Sequence, residues 1–383
     1  FDLPYATIGA AITAASSGDL VWVRPNSYSE NIVLKDGVNI FGDLGVTING
    51  NITDNAATLT AKVFGAMKVN YVGSNAIDQQ GASSNMTIDI DELVSTSTGI
   101  HSLPGTGIKA TLFVRVRKFT GPATNYNVAI RGNTDATIII TESMASASTV
   151  TTAFASIDLR DFQGSLIFKS PVVTIGNSTN AGAGVLFYEE ATVGAGSTVN
   201  IEIDEVRSSY NFASPNDLGT IALHGVGLNT IKIGKMSTVT RPAVIATSST
   251  NTGRSIIEID AYCENTYVVR NGSLRPLVLK NSSLRRGSGG ADANLVLLIG
   301  NAGGATALPG GSTNTILTEV INTTLLKTSG GADTTEMVAK QGAATILMFK
   351  DCDIILQGTT GEACDVDLTT TTEPDIYFRN TVP

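Results

Sequence analysis

Charge is scarce in this 383-residue chain: Asp, Glu, Lys and Arg make up 15% of it, against roughly 25% in an average soluble domain. The 25 basic residues stand against 34 acidic ones, a net charge of −9. With no Lys/Arg cluster in the sequence, nucleic acid and anionic membrane surfaces are excluded as electrostatic partners. The Ala/Glu/Lys/Leu/Arg richness of long helical proteins is missing. No stretch approaches ~18 uninterrupted apolar residues, so no membrane-inserting helix is expected. Cysteine is rare too. Cys263, Cys352 and Cys364 are too few for a disulfide framework and include no Cys-x-x-Cys pair. A Cys352–Cys364 bridge is one reading, and the burial habit of cysteine favours the other, free buried thiols. The chain starts at Phe1, with neither Met nor a leader-like segment, as a processed protein or an excised piece does.

What fills the chain instead is 48 Thr, 31 Ser, 27 Asn and 39 Gly. The hydrophobic share of 42% is enough to bury a core and excludes disorder. Small, β-branched and amide residues in these amounts predict an all-β protein with many tight turns.

The first forty residues give the sharpest local pattern. Ile8, Ala11, Ile12 and Ala15 recur at helical spacing and predict a helix over residues 5–16, with Thr7 or Asp2 as its cap and Ser16-Ser17-Gly18 as its stop. Short strands follow at 20–23, 30–34 and 38–41, separated by Pro25-Asn26 and Asp36-Gly37 turns. This opening includes Tyr5, Thr7, Ile8, Gly18-Asp19, Val21, Val23, Pro25, Tyr28, Glu30, Ile32, Leu34, Gly37-Val38, Ile40 and Gly42. It resembles the start of pectin-lyase-like right-handed parallel β-helices, a superfamily that takes in pectinesterases and many phage tail spikes. The resemblance covers about a tenth of the chain and implies the fold more than any chemistry. The Gln-Asp pair and the Asp-Phe-Ile-Phe-Gly and Leu-Gly-Arg-Pro-Trp segments of pectinesterases are absent. Trp22, the one tryptophan, lies in the first strand instead.

A repeat runs through the remainder. Thr87, Thr111, Thr137, Ser165, Thr198, Thr230, Ser255, Ser273, Thr315 and Thr345 each precede an apolar strand, at a mean spacing of about 29 residues, within the range of solenoid repeats. A second strand family alternates with it, at 127–130, 155–159, 184–187, 220–223, 243–246, 267–269 and 295–298. No helical segment intervenes, which excludes an α/β barrel. A β-sandwich is the other all-β arrangement with short, regularly spaced strands. Charges of the first family alternate in sign at nearly every step, with Asp351 beside Lys350 as the main exception: Asp89/Asp91/Glu92, Arg115/Arg117/Lys118, Glu142, Lys169, Glu202/Asp204/Glu205, Lys232/Lys235, Glu258/Asp260, Lys280, Glu319, Lys350, Arg379. Parallel strands stacked ~4.8 Å apart favour opposite charges on successive rungs, and a sandwich gives no reason for the pattern. The expected fold is therefore all-β, a right-handed parallel β-helix with a short N-terminal capping helix. Residues 1–45 would be the cap and first coil, and 46–383 one continuous solenoid.

Glycoside cleavage needs two carboxylates roughly 5–9.5 Å apart. Glu202/Asp204 and Glu258/Asp260 have a structural use in the charge ladder. That leaves Asp158 and Asp161, flanking Arg160, as the enzymatic candidates, with a corner salt bridge as their plainer use. His224, after a strand, reads as a corner residue, and His101 lies in a Gly/Ser/Pro turn without metal-ligand spacing. No calcium repeat, phosphate loop or cofactor motif occurs, so neither metal nor cofactor is expected. The Asn-x-Ser/Thr triplets at Asn51, Asn85, Asn177, Asn271, Asn281 and Asn322 read as turn chemistry, and the Gly-rich stretches 287–290, 302–304 and 310–311 as corners or projecting loops. The function expected is a non-enzymatic structural or receptor-binding component of an extracellular assembly, such as a virion fibre or tail spike. Its partners would be other copies in a homotrimer, neighbouring subunits and cell-surface polysaccharide. The alternatives are a polysaccharide lyase or hydrolase, and a bacterial surface adhesin.

Overall fold

A computed structural model of the chain describes residues 4–54, 58–104, 109–122, 125–146, 149–150, 155–175, 177–178, 185–190, 192–194, 196–208, 220–238, 243–246, 253–264, 268–271, 276–287, 296–299, 316–328, 338–340, 345–357 and 375–381. They form a parallel β-solenoid with one short helix near the N-terminus. One sheet has 19 strands, a second has 12, and a small pair joins Thr149–Val150 to Asn177–Ser178. In the middle of the chain, long strands such as Ser83–Ser95, Ser165–Ile175 and Leu228–Thr238 cross a corner within the large sheet. Nearer the C-terminus two shorter strands do the same work, as in Leu277–Lys280 with Ser283–Arg286. At one such corner Gly65 has φ +123°, and a Cβ there would lie 2.1 Å from the Gly42 carbonyl oxygen, so no side chain fits.

Strand alternation builds the core. Inward positions of the large sheet form an unbroken column, Val21, Ile40, Val63, Ile88, Val114, Ile138, Phe168, Ile201, Ile231, Ile257, Leu279, Val320 and Phe349, with the exposed Phe378 ring stacked on Phe349 at the last described rung. Facing it, the second sheet stacks Ile32, Ile52, Ile77, Ile100, Val128, Ile157, Phe187, Ile221, Val244, Val269 and Leu297. Seven of its strands begin and end within one or two residues of the expected second family, while Ile52–Thr53, Asn75–Gln79, Thr98–Ser102 and Val338–Lys340 belong to the sheet without having been expected there. Cys263 and Cys352 are buried in the core as thiols, without a disulfide between them, and burial pushes the Cys263 thiol up to about 11. Cys364, Ser273, Thr315 and most of the Gly-rich stretches lie outside the described residues.

The helix spans Ile8–Ala14, shorter than expected, and buries Ile8 and Ile12. Thr7 Oγ1 caps it by accepting from the Ala10 N–H at 3.1 Å. Two coil residues also hold its ends. The Glu30 carboxylate accepts from the N–H groups of Ile8 and Gly9, both at 2.8 Å, and Lys35 Nζ donates to the carbonyls of Thr13 and Ala15. An anion at the N-terminus and a cation at the C-terminus both match the helix dipole.

A corner ladder explains two of the Asn-x-Ser/Thr triplets. Asn281, Asn322, Asp351 and Asn380 all have left-handed backbone, φ +46° to +54°. Asn322 Nδ2 donates to Asn281 Oδ1 at 2.9 Å, and Asn380 Nδ2 to Asp351 Oδ1 at 3.1 Å. Ser282, Thr323, Cys352 and Thr381 follow them, and each directs its Oγ or Sγ to the carbonyl of the residue before the corner. Cys352 thus occupies a hydroxyl position of this repeat.

The charge ladder is built largely as its signs require. Asp89 and Arg115 pair across one rung, and Glu202 lies between Lys169 (2.8 Å) and Lys232 (4.0 Å). Lys280 reaches Glu258 at 3.0 Å, and Arg285 reaches Asp260 at 2.7 Å. Three details differ. A register shift after Ile139 moves Glu142 out of the column to pair with Arg117, which leaves Ile139 as a neutral spacer between Arg115 and Lys169. Glu319 stands beside Val278 and Met348, not Lys280. Lys350 and Arg379 are adjacent like charges at the last described rung.

Replacing Asn322 by Ala leaves an ordinary side chain in left-handed backbone and removes the amide bond, at a cost of roughly 1–2 kcal/mol. Thermal unfolding should show a larger loss for Asn322→Ala than for Asn322→Gly; the reverse order would refute the backbone argument. For the exposed Lys169–Glu202 pair, a double-mutant cycle with Lys169→Met and Glu202→Gln should give a coupling of about 0.2–1 kcal/mol that fades in 1 M salt. A coupling indifferent to salt would contradict it.

Candidate functional site

The outer face of the second sheet has a different logic. Its central column reads Asp78, His101, Ala129, Asp158, Tyr188, Ala222. No alternation of sign runs along it, and the charges at Asp158 are matched from the strand ends. Asp158 is 1% exposed. Its Oδ2 accepts from Arg160 Nε at 2.9 Å and from Arg131 Nη2 at 3.3 Å. Arg131 follows the strand Val128–Ile130 and Arg160 the strand Ala155–Leu159, so both reach the carboxylate from corners. Burial pushes the Asp158 carboxyl above its ordinary range, against the pull of Arg160 and then Arg131.

Two tyrosines complete the cluster. Arg160 donates to the Tyr126 hydroxyl and its guanidinium lies 4.9 Å from the Tyr126 ring centroid. The Tyr188 ring lies 5.6 Å from that of His224. Tyr126 and Tyr188 pack on Ala155, Val185 and Ala222, an apolar cluster separate from the main core. Burial raises both hydroxyls above their ordinary pKa, aided by the charge of Asp158 at Tyr126 and of Glu190 at Tyr188. Both therefore stay protonated near neutrality. The arrangement offers flat aromatic faces, hydroxyls and planar hydrogen-bonding groups over an apolar floor. That set binds ligands well without a reactive centre.

Of the two enzymatic candidates, only Asp158 belongs to this cluster. Asp161 is exposed at a corner, with φ +54°; its N–H donates to Thr192 Oγ1 at 2.9 Å and its carbonyl accepts from the Gly132 N–H at 3.0 Å. Among the described residues no hydrogen bond or ion pair joins the Asp161 carboxylate to the cluster. The left-handed backbone gives this Asp a turn role that its sequence context hides.

His101 is a correction. It sits not in a turn but in the strand Thr98–Ser102, with Nδ1 2.7 Å from Asp78 Oδ1 on the neighbouring rung. Asp78 also accepts from Gln80 Nε2 at 2.7 Å. Burial would raise the Asp78 carboxyl; His101, assisted by Asn75 and Gln80, outweighs it and holds it below the usual range. The sequence distance of 23 residues concealed this pair, although it is close to one repeat. His224 likewise does more than form a corner, since it packs against Tyr188. Among the described residues no group of three His, Cys, Asp or Glu side chains could hold a metal ion.

A carboxyl held low in the folded state stabilises at pH above its unfolded value, about 3.9, and loses that contribution as pH falls through the folded value. The stability difference between wild type and Asp78→Asn, measured by urea unfolding, should therefore be largest above about pH 5 and shrink in acid; a difference growing toward low pH would refute this. No family model, curated protein or solved structure matches the chain, so both fold and cluster are read from its own residues.

Proposed function

We propose that the protein is a non-enzymatic, receptor-binding structural element of an extracellular assembly, with a virion fibre or tail spike as the nearest case. In this reading it works as a homotrimer beside neighbouring subunits, at a virion or cell surface, and its receptor is a cell-surface polysaccharide. The observation that carries the reading is the Tyr126/Tyr188 cluster on the outer face of a stacked β-solenoid. A solenoid is a shaft whose surface positions repeat along its axis, which suits the display of a binding patch. The state of the carboxylates supports the non-enzymatic part. Glu202, Glu258, Asp260 and Asp158 all have cationic partners, whereas an acid–base pair for glycoside cleavage must exchange protons with substrate and water.

A polysaccharide lyase or hydrolase is the competing reading. Incubation with capsular and plant polysaccharides should release neither new reducing ends nor unsaturated uronates, while retention on at least one polymer persists. Depolymerisation that disappears in Asp158→Asn would overturn the non-enzymatic reading. Light scattering should give three times the 39.7 kDa chain mass, and a monomer would count against the fibre.

A further inference from the structure

The chemistry of the Tyr126/Tyr188 cluster narrows its ligand class. The apolar floor is small, made of Ala155, Val185 and Ala222 beneath two rings. That suits a single flat ring better than an extended peptide segment. The rim is hydrogen-bonding but charge-balanced: Arg131 and Arg160 supply two positive charges, and Asp158 and Glu190 two negative ones. Both guanidiniums already share Asp158, so an acidic sugar would find no uncommitted cation there and would meet Glu190 beside Tyr188. The Arg131 and Arg160 side chains stay partly open to solvent, 23% and 31% exposed, so ligand hydroxyls can meet the guanidinium edges that Asp158 leaves uncovered. Tyrosine suits the same ligand twice, since its ring face takes the apolar C–H side of a sugar and its hydroxyl the polar edge.

We infer that this cluster is a saccharide subsite for an uncharged hexopyranose unit, stacked on Tyr188 and bound through its hydroxyls by Arg131, Arg160 and the Tyr126 hydroxyl. The inference rests on the receptor-binding reading above and adds the ligand class and the residues that select it. Selection comes from the balanced rim: a neutral sugar loses nothing to Glu190, whereas a uronate carboxylate is repelled.

The test is affinity electrophoresis of the full chain through gels containing dextran, mannan or galactan, and in parallel polygalacturonate or hyaluronate. At least one neutral polymer should retard it, with a dissociation constant that changes less than threefold between 50 and 500 mM salt. Tyr188→Ala and Arg131→Gln should each weaken that binding at least tenfold, Tyr188→Phe should keep most of it, and all three variants should retain the cooperative unfolding of wild type. Retardation by the anionic polymers alone, steep salt dependence, or unchanged binding in folded Tyr188→Ala would overturn the subsite. Failure to bind any polymer would overturn both subsite and polysaccharide receptor. Cleavage of the bound neutral polymer would overturn the non-enzymatic reading and leave the subsite standing.

Discussion

Every part of this molecule depends on one constraint: in a parallel solenoid each residue stacks on its counterpart in the next coil, at a spacing of ~4.8 Å. Inside, that spacing rewards repetition. Ile on Val on Ile fills a column continuously, and no connection has to cross the core. Outside, it penalises repetition of charge, because like charges at such a distance repel. Each position is therefore chosen with its upper and lower neighbours. The alternation of Lys169, Glu202, Lys232 and Glu258 follows from this rule, and so does the Asn281–Asn322 amide bond at the corner. An asparagine amide donates on one side and accepts on the other, so it can stack on copies of itself.

The same constraint explains what the sequence made legible. Inward columns show as regular apolar strands because stacking forces neighbouring rungs to agree. The alternating signs identified an in-register parallel stack because few other arrangements bring residues one repeat apart into contact. Details that depend on local slippage were hidden. The register shift beside Ile139 moved Glu142 onto Arg117, and Glu319 falls on its rung opposite Val278, two residues before the Ile321 that stands beside Lys280. Neither a bulge nor a register offset has a clear signature when Gly, Ser, Thr and Asn are everywhere.

The candidate site was only partly visible. Asp158 stood out because it lies outside the ladder, with Arg160 close in sequence. Its other partners were not, since Tyr126, Arg131 and Tyr188 are each about one coil away. The spacing that hides them is the repeat itself. A search for chemistry at one-coil separation would have found the Asp78–His101 pair, as the charge ladder was found. The left-handed corner at Asp161 gave no such signal, because Asp serves turns and catalysis with the same side chain.

A solenoid surface that obeys the stacking rule is uninformative about function, since each residue is accounted for by the next coil. Departures from the rule are where other demands must act. The outer column of the second sheet departs most. Between His101 and Ala222 it sets a small residue, a buried carboxylate and a tyrosine on successive rungs, none complementary to the next. Holding Asp158 there takes two arginines from two separate corners, and a buried ion pair is at best weakly stabilising against an apolar replacement. Stability alone would be served by another β-branched residue, as at neighbouring positions of the same sheet. An arrangement that self-stacking does not require, and that sets two half-buried tyrosines on the outer side of the sheet, is more economically explained by something that binds from outside.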